Sequence, residues 1–208
     1  DALSKTDLSP EQAEMVALIA SSGVTLERLV SDILDVSKIE AGQLNLETRP
    51  FDLDEALEAG LDVARLRAEA KGLTLEVRRD ADARGVFVGD SLRIRQVLDN
   101  LLSNAVKFTA EGQITLRLEA WPEEPSGYAL LFEVADTGPG LTAEQMERLF
   151  NPFDQTAEGV GAQFGGSGLG LTIARRMAEI AGGRLTLANA ADGGMEATVT
   201  FAPDEKQG

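Results

Sequence analysis

Residues 90–109, DSLRIRQVLDNLLSNAVKFT, decide the reading of the fold, because one helix here combines an apolar stripe with an unusual polar face. Asp90 is placed to cap its start, and Ile94, Val97, Leu98, Leu101, Leu102 and Ala105 recur at the three-and-four spacing of a buried stripe. Gln96, Asn100, Asn104 and Lys107 follow at steps of four, four and three, so they project from roughly one face. Asparagine is a poor mid-helix residue, since its amide competes for backbone hydrogen bonds. Two of them one turn apart fit either a solvated face or amide oxygens that help ligate a hard cation, with Lys107 beside an anion. Mg²⁺ held by few protein oxygens and by phosphates suits the second reading.

Working outward, the chain has 208 residues, 43% of them hydrophobic, enough for one domain with a sizeable core plus an appendage. The net charge of −16 comes without any Lys/Arg run, which argues against nucleic acid as a partner and against direct contact with acidic membranes. An anionic ligand must therefore be held by local groups. The absence of cysteine removes disulfides and thiolate metal sites and fits a reducing compartment, so the expected location is the cytoplasm. No apolar run approaches the roughly 20 residues of a membrane span, and the opening DALSKTDLSPEQ lacks a signal-peptide core. There is also no histidine.

N-terminal to this helix, Ser9, Pro10 and Gln12 form a capping signature. From there Val16, Ile19, Gly23, Leu26, Val30, Ile33 and Ser37 step by three and four up to the stop at Gly42. That narrow seam predicts a coiled-coil or bundle helix rather than one lying on its own domain's core. Residues 43–49 alternate like a strand, and Asp52 with Glu55 begins a second helix ending at Lys71 and Gly72. Further strands are expected at 73–79, 86–88, 113–121, 128–135, 184–189 and 196–201, with helices at 142–150 and 168–181. This order predicts an α+β fold, a two-layer sandwich with helices on one face of a mostly antiparallel sheet.

Two glycine clusters carry the remaining chemistry. In VADTGPG, residues 134–140, Asp136-Thr-Gly138 imitates an aspartic-protease signature, but no second copy supplies the carboxylate pair that chemistry needs. Gly138 and Gly140 imitate a dinucleotide fingerprint, but no strand with an acidic end follows. A plain tight turn is the third reading, and it would not require the aspartate. The second cluster, GGSGLGL at residues 165–171, stands directly before a helix, where amide donors and the positive end of the dipole make an anion site. It lacks the Gly-Lys-Ser/Thr ending of a P-loop. A hinge is compatible with it, because the preceding loop at 151–167 is long enough to be a lid.

Taken together, these pieces resemble the histidine kinases of two-component signalling, of the hybrid type, within the GHKL ATPases and their Bergerat ATP-binding fold. Residues 100–109, NLLSNAVKFT, look like the N box; 136–140 like the G1 box; Phe150-Asn-Pro-Phe153 like the F box; and 166–171 like the G2 box. Gly193-Gly194 is a weaker match to the last glycine element. Residues 30–46, VSDILDVSKIEAGQLNL, resemble the second helix of the dimerisation and phosphoacceptor hairpin. The resemblance implies a partial hairpin at residues 1–46 and a catalytic ATP-binding domain at 47–208.

By that resemblance, Asn104 and Asn100 coordinate Mg²⁺ bridging the ATP phosphates, with Lys107 nearby. Asp136 accepts from the adenine amino group, and Gly138 and Gly140 let the base approach. Gly166, Ser167, Gly168, Leu169 and Gly170 shape the end of the lid against the phosphates, while Phe150 and Phe153 pack its other root. The γ-phosphoryl passes to a histidine imidazole, mainly by positioning and charge neutralisation. In ATP-hydrolysing relatives a water-activating glutamate stands where this chain has Asn100, which cannot act as a general base. The family further implies a homodimer and a response-regulator or receiver domain as partner.

Two departures stand out. The chain has no acceptor histidine, which truncation would explain, and residues 156–164, TAEGVGAQF, lack the Arg or Lys usual before the G2 glycines. The second expectation, of a different class, is therefore a nucleotide-sensing interaction module that binds ATP or ADP and transfers nothing.

Overall fold

The computed structural model describes residues 6, 8–123, 127–150, 168–191 and 193–201. The chain divides into two compact units, Asp1–Leu44 and Asn45–Gly208.

The first unit is built on one helix, α1 (Pro10–Glu40). The capping box forms as expected: Gln12 N donates to Ser9 Oγ at 3.2 Å, and Ser9 N donates to Gln12 Oε1 at 2.9 Å. Gly42, at φ +62°, takes the left-handed conformation that lets the chain leave the helix. Ile19, Leu26, Val30 and Ile33 of the predicted seam are all exposed in this unit.

The second unit starts with β1 (Arg49–Asp52), which pairs antiparallel with β3 (Val86–Gly89). The sequence alternation at 43–49 placed this strand too early. The register is set by Phe51 opposite Phe87, with ring centroids 6.5 Å apart, and Phe87 in turn meets the edge of Tyr128 at 6.2 Å. Asp52 then caps α2 (Leu53–Ala70), accepting from Glu55 N at 3.0 Å. After β2 (Thr74–Arg79) and β3 comes α3 (Ser91–Phe108), the asparagine helix, whose six expected apolar positions are all buried.

A hairpin of β4 (Gln113–Pro122) and β5 (Tyr128–Asp136) leads to α4 (Ala143–Arg148), α5 (Gly170–Ile180), β6 (Arg184–Asn189) and β7 (Met195–Phe201). The main sheet has the order β2-β4-β5-β7-β6, antiparallel except for the parallel β2–β4 pair. Register explains its two faces. Leu118, Phe132, Val199 and Leu185 lie in one cross-strand row, and Leu116, Val134 and Ala197 in the next, all buried. The alternate row, Arg117, Glu133, Thr198 and Thr186, lies on the opposite, polar face. The helices α2, α3 and α5 pack on the apolar face, which makes the two-layer α+β sandwich. Each fully buried side chain of this layer contributes about 1.5–3 kcal/mol of transfer free energy.

Candidate functional site: the Asp136 corner and the asparagine face

Strand alternation places the Asp136 side chain on the same face as Phe132 and Val134, the face covered by helices. Its Oδ1 accepts from Gly138 N at 2.8 Å and from Met195 N at 3.3 Å. Both amides converge on one oxygen, so among the described residues Oδ2 receives no backbone donor and is left to accept from something else. Burial pushes the carboxyl above its ordinary range, while the two amides and the Thr109 hydroxyl pull back towards the ionised form. The Thr109 hydroxyl lies beside the same glycine as the carboxylate, and Thr109 Oγ1 is buried without a hydrogen-bond partner.

Backbone approaches backbone around this carboxylate. A Cβ on Gly194 would overlap the Asp136 carbonyl, and Gly194 sits at φ +89°. One on Gly140, at φ +68°, would fall 2.9 Å from Asn189 Oδ1. Asn189 clamps the turn from the end of β6, accepting from Leu141 N at 2.8 Å and donating Nδ2 to Leu141 O at 2.7 Å. Thr137 ties the same turn to the α3–β4 connection, accepting from Gln113 N at 3.0 Å. A carboxylate oxygen left beside this close-packed turn can accept from a ligand's N–H donor.

The second half of the site is the polar face of α3. Asn100 and Asn104 are half-buried on it. A Cβ on Gly170 would lie 3.1 Å from Asn100 Oδ1, so the glycine leaves room for that amide beside the start of α5. The helix α5 begins without a side-chain cap, after Gly168 at φ +69°, which is why it starts at Gly170 and not at residue 168. Its first amides stand beside the asparagine face as donors for an anion. Lys107 Nζ lies 4.7 Å from the centre of the Phe108 ring. Gln96, expected on the same face, accepts from Arg93 Nη1 at 2.9 Å and so brings a guanidinium there that the helical spacing did not single out.

Both ends of α3 are held. Asp90 accepts from Arg93 N at 3.1 Å as N-cap and, through its other oxygen, from Glu47 N at 3.0 Å. At the far end Lys71 Nζ donates to Val106 O at 2.7 Å and Lys107 O at 3.0 Å, satisfying carbonyls that the helix leaves open. Thr172 Oγ1 donates to Phe150 O at 3.1 Å, and the Arg175 guanidinium stacks 4.5 Å over the Phe150 ring, which joins the end of the α4 segment to α5. Phe153, Gly166 and Ser167 lie outside the described residues.

Among the described residues no cluster of three or more carboxylates stands ready for a metal. Asn100 Oδ1, kept clear by Gly170, fits a small hard ion whose remaining ligands come from phosphates and water. The sequence singles out Asp136, Asn100 and Asn104 as candidates but not Asn189 or Met195, and it does not separate Thr109 from the rest of the N box. A lone polar residue at a strand or helix end carries no spacing signal, and a backbone amide carries none at all.

Comparison with known proteins sets this geometry in a family context. Residues 89–206 match the model described as histidine kinase-, DNA gyrase B-, and HSP90-like ATPase. The chain is 39% identical over 183 residues to the sensor histidine kinase GacS of Pseudomonas protegens, covering 88% of this chain and 20% of that protein. It is 36% identical over 181 residues to hybrid signal transduction histidine kinase L of Dictyostelium discoideum, covering 87% of this chain and 11% of that one. Among solved structures, full-length ShkA in complex with AMPPNP gives a TM-score of 0.76 at 31% identity, over 98% of this chain and 42% of ShkA. The chain thus spans a fifth or less of the length of the two sequence relatives. No described helix is long and apolar enough to cross a membrane.

Proposed function

Because the chain belongs to the histidine kinase-, DNA gyrase B- and HSP90-like ATPases, and within them to the histidine kinases of two-component signalling, we propose that residues 47–208 bind Mg-ATP and donate its γ-phosphoryl to a histidine on a hairpin helix outside this chain. Residues 1–46 are then the second hairpin helix, and the exposed seam of α1 supports pairing into a homodimer's bundle. The phosphorylated histidine would pass its group to a response-regulator or receiver domain, in the cytoplasm.

The observation that carries the reading is the Asp136 corner. Its Oδ1 is occupied by two amides, and its Oδ2 is left for the exocyclic amine of an adenine lying beside the Gly138–Gly140 turn. Asn100 and Asn104 would hold Mg²⁺, which when bound neutralises phosphate charge. Lys107 and the amides of Gly168, Leu169 and Gly170 would face the phosphates, joined by Gly166 and Ser167 of the same motif, with Phe153 at the lid's root. Asn100, an amide, cannot deprotonate water, which favours transfer to imidazole over hydrolysis.

Calorimetry of Mg-ATP binding tests the site. Asn104→Ala and Asp136→Asn are each expected to weaken affinity by about tenfold or more, because each removes an interaction with a charged partner. Unchanged affinity in both would remove the assignment. In a longer form carrying the hairpin, radiolabelled ATP should give acid-labile phosphohistidine. Binding without label would instead mark a nucleotide-sensing module.

A further inference from the structure

We propose that Thr109 is a positioning residue for the nucleotide: its buried hydroxyl fixes the plane of the Asp136 carboxylate and thereby sets how strongly an aminopurine is held. The inference deepens the ATP-binding reading and rests on it.

Thr109 is the C-cap of α3, in extended conformation at φ −84° and ψ 123°. Its N–H donates to Ala105 O at 3.0 Å, and its carbonyl accepts from Lys71 Nζ at 3.4 Å. The backbone is therefore held on both sides, and the side chain has little freedom to turn away. The residue is 0% exposed, yet Oγ1 has no hydrogen-bond partner. A hydroxyl buried in that state is costly, and most buried polar atoms escape the cost by finding a partner. Valine would fill the same volume without the cost, so the hydroxyl calls for a use.

Its position identifies the use. A Cβ on Gly138 would lie 3.5 Å from Thr109 Oγ1 and 2.8 Å from Asp136 Oδ1, so hydroxyl and carboxylate flank the same glycine. Two amides already approach Oδ1, from Gly138 and from Met195. A donor from α3 adds a contact from a separate element and stops the carboxylate from rotating about its last bond. With Oδ1 held by the two amides and the carboxylate steadied from α3, Oδ2 is the oxygen left for the ligand's exocyclic amine. After burial, the groups that bear most on Asp136 are these two amides and this hydroxyl. The hydroxyl also favours the ionised carboxylate, whereas burial opposes it. Removing it lets the carboxyl take a proton at higher pH, and protonation weakens the acceptor.

The test uses Thr109→Val and Thr109→Ser, with Mg-AMPPNP as the probe, calorimetry between pH 5 and 8, and thermal melting of each protein. Thr109→Val should bind about three- to tenfold more weakly near neutral pH, the range for one ordinary net hydrogen bond, because the hydroxyl acts on the ligand only through Asp136. The deficit should widen on acidification, with the midpoint of the binding profile moved to higher pH, and Thr109→Ser should restore both. The melting temperature of Thr109→Val should equal or exceed the parent's, because an unpartnered buried hydroxyl has been replaced by methyl. Parent-like affinity and midpoint in Thr109→Val would overturn the proposal. So would a loss that is equal at every pH and not rescued by serine, or a clear drop in melting temperature, since either marks a packing role. Asp136→Asn is the control: if it binds as well as the parent, the nucleotide reading itself fails, and this inference with it.

Discussion

The two ends of the site are built by opposite means. At the Asp136 corner, backbone meets backbone: Gly194 lies against the Asp136 carbonyl, Gly140 against Asn189, and the carboxylate is held by amides. On the asparagine face, side chains rise from one helix and look across at the first turn of another, with Gly170 making the close approach to Asn100. The first end tolerates almost no added atom. The second tolerates added atoms at a cost in ligand geometry and not in fold, because a side-chain amide can move and a carbonyl in a sheet cannot.

Gly194→Ala should break the first end outright. The new Cβ would meet the Asp136 carbonyl, and the residue's φ of +89° is unfavourable for any L side chain. We expect a loss of about 3 kcal/mol or more in urea unfolding, the size of a severe overpacking change, together with loss of nucleotide binding. Gly193→Ala sharpens the comparison, since it shares a positive φ of +93° but has nothing within 4 Å of the new methyl. It should cost only the conformational strain, about 1–2 kcal/mol. Equal losses in the two variants would mean that strain alone matters and that the backbone approach at Asp136 does not.

How legible each end was follows from the same difference. Asp90, Asn100, Asn104 and the apolar stripe of α3 could be read because a helix converts sequence spacing into a face. Glycines 138, 140 and 194 could be seen as glycines, but which of them meets what depends on β7 arriving beside β5 and β6 beside β7, information spread over about 60 residues. Asn189 is one polar residue at a strand end, and only its reciprocal bonds to Leu141 give it a role. The strand at 43–49 failed for a related reason. Alternation marks a segment able to pair, whereas Phe51 opposite Phe87 marks the one that does.

Lys71 sits where the two ends join, since its ammonium caps the carbonyls of Val106, Lys107 and Thr109 as α3 gives way to the Thr109 contact with Asp136. Lys71→Met keeps the stem and removes the charge. The expected cost is about 1 kcal/mol by chemical denaturation, from lost carbonyl partners and lost interaction with the helix dipole. The effect on nucleotide affinity should be small and felt through Thr109. A loss of affinity exceeding that of Thr109→Val would mean that Lys71 acts on the phosphate end as well.

Gly170→Ala is the counterpart of Gly194→Ala and should have the smallest effect on stability. Gly170 is the first residue of α5 and shows no positive φ, so alanine is acceptable to the backbone and favoured by helix propensity. Its methyl would lie 3.1 Å from Asn100 Oδ1, close enough to push that amide aside by a few tenths of an ångström. Urea unfolding should therefore change by no more than about 0.5–1 kcal/mol, in either direction. Binding should separate by metal: affinity for AMPPNP falls several-fold with Mg²⁺ present and stays at the parent's value in EDTA, because the displaced group is the one assigned to the ion. A loss of equal size in both conditions would shift the role from Asn100 to the amides at the start of α5, leaving Asn104 as the α3 residue assigned to the metal.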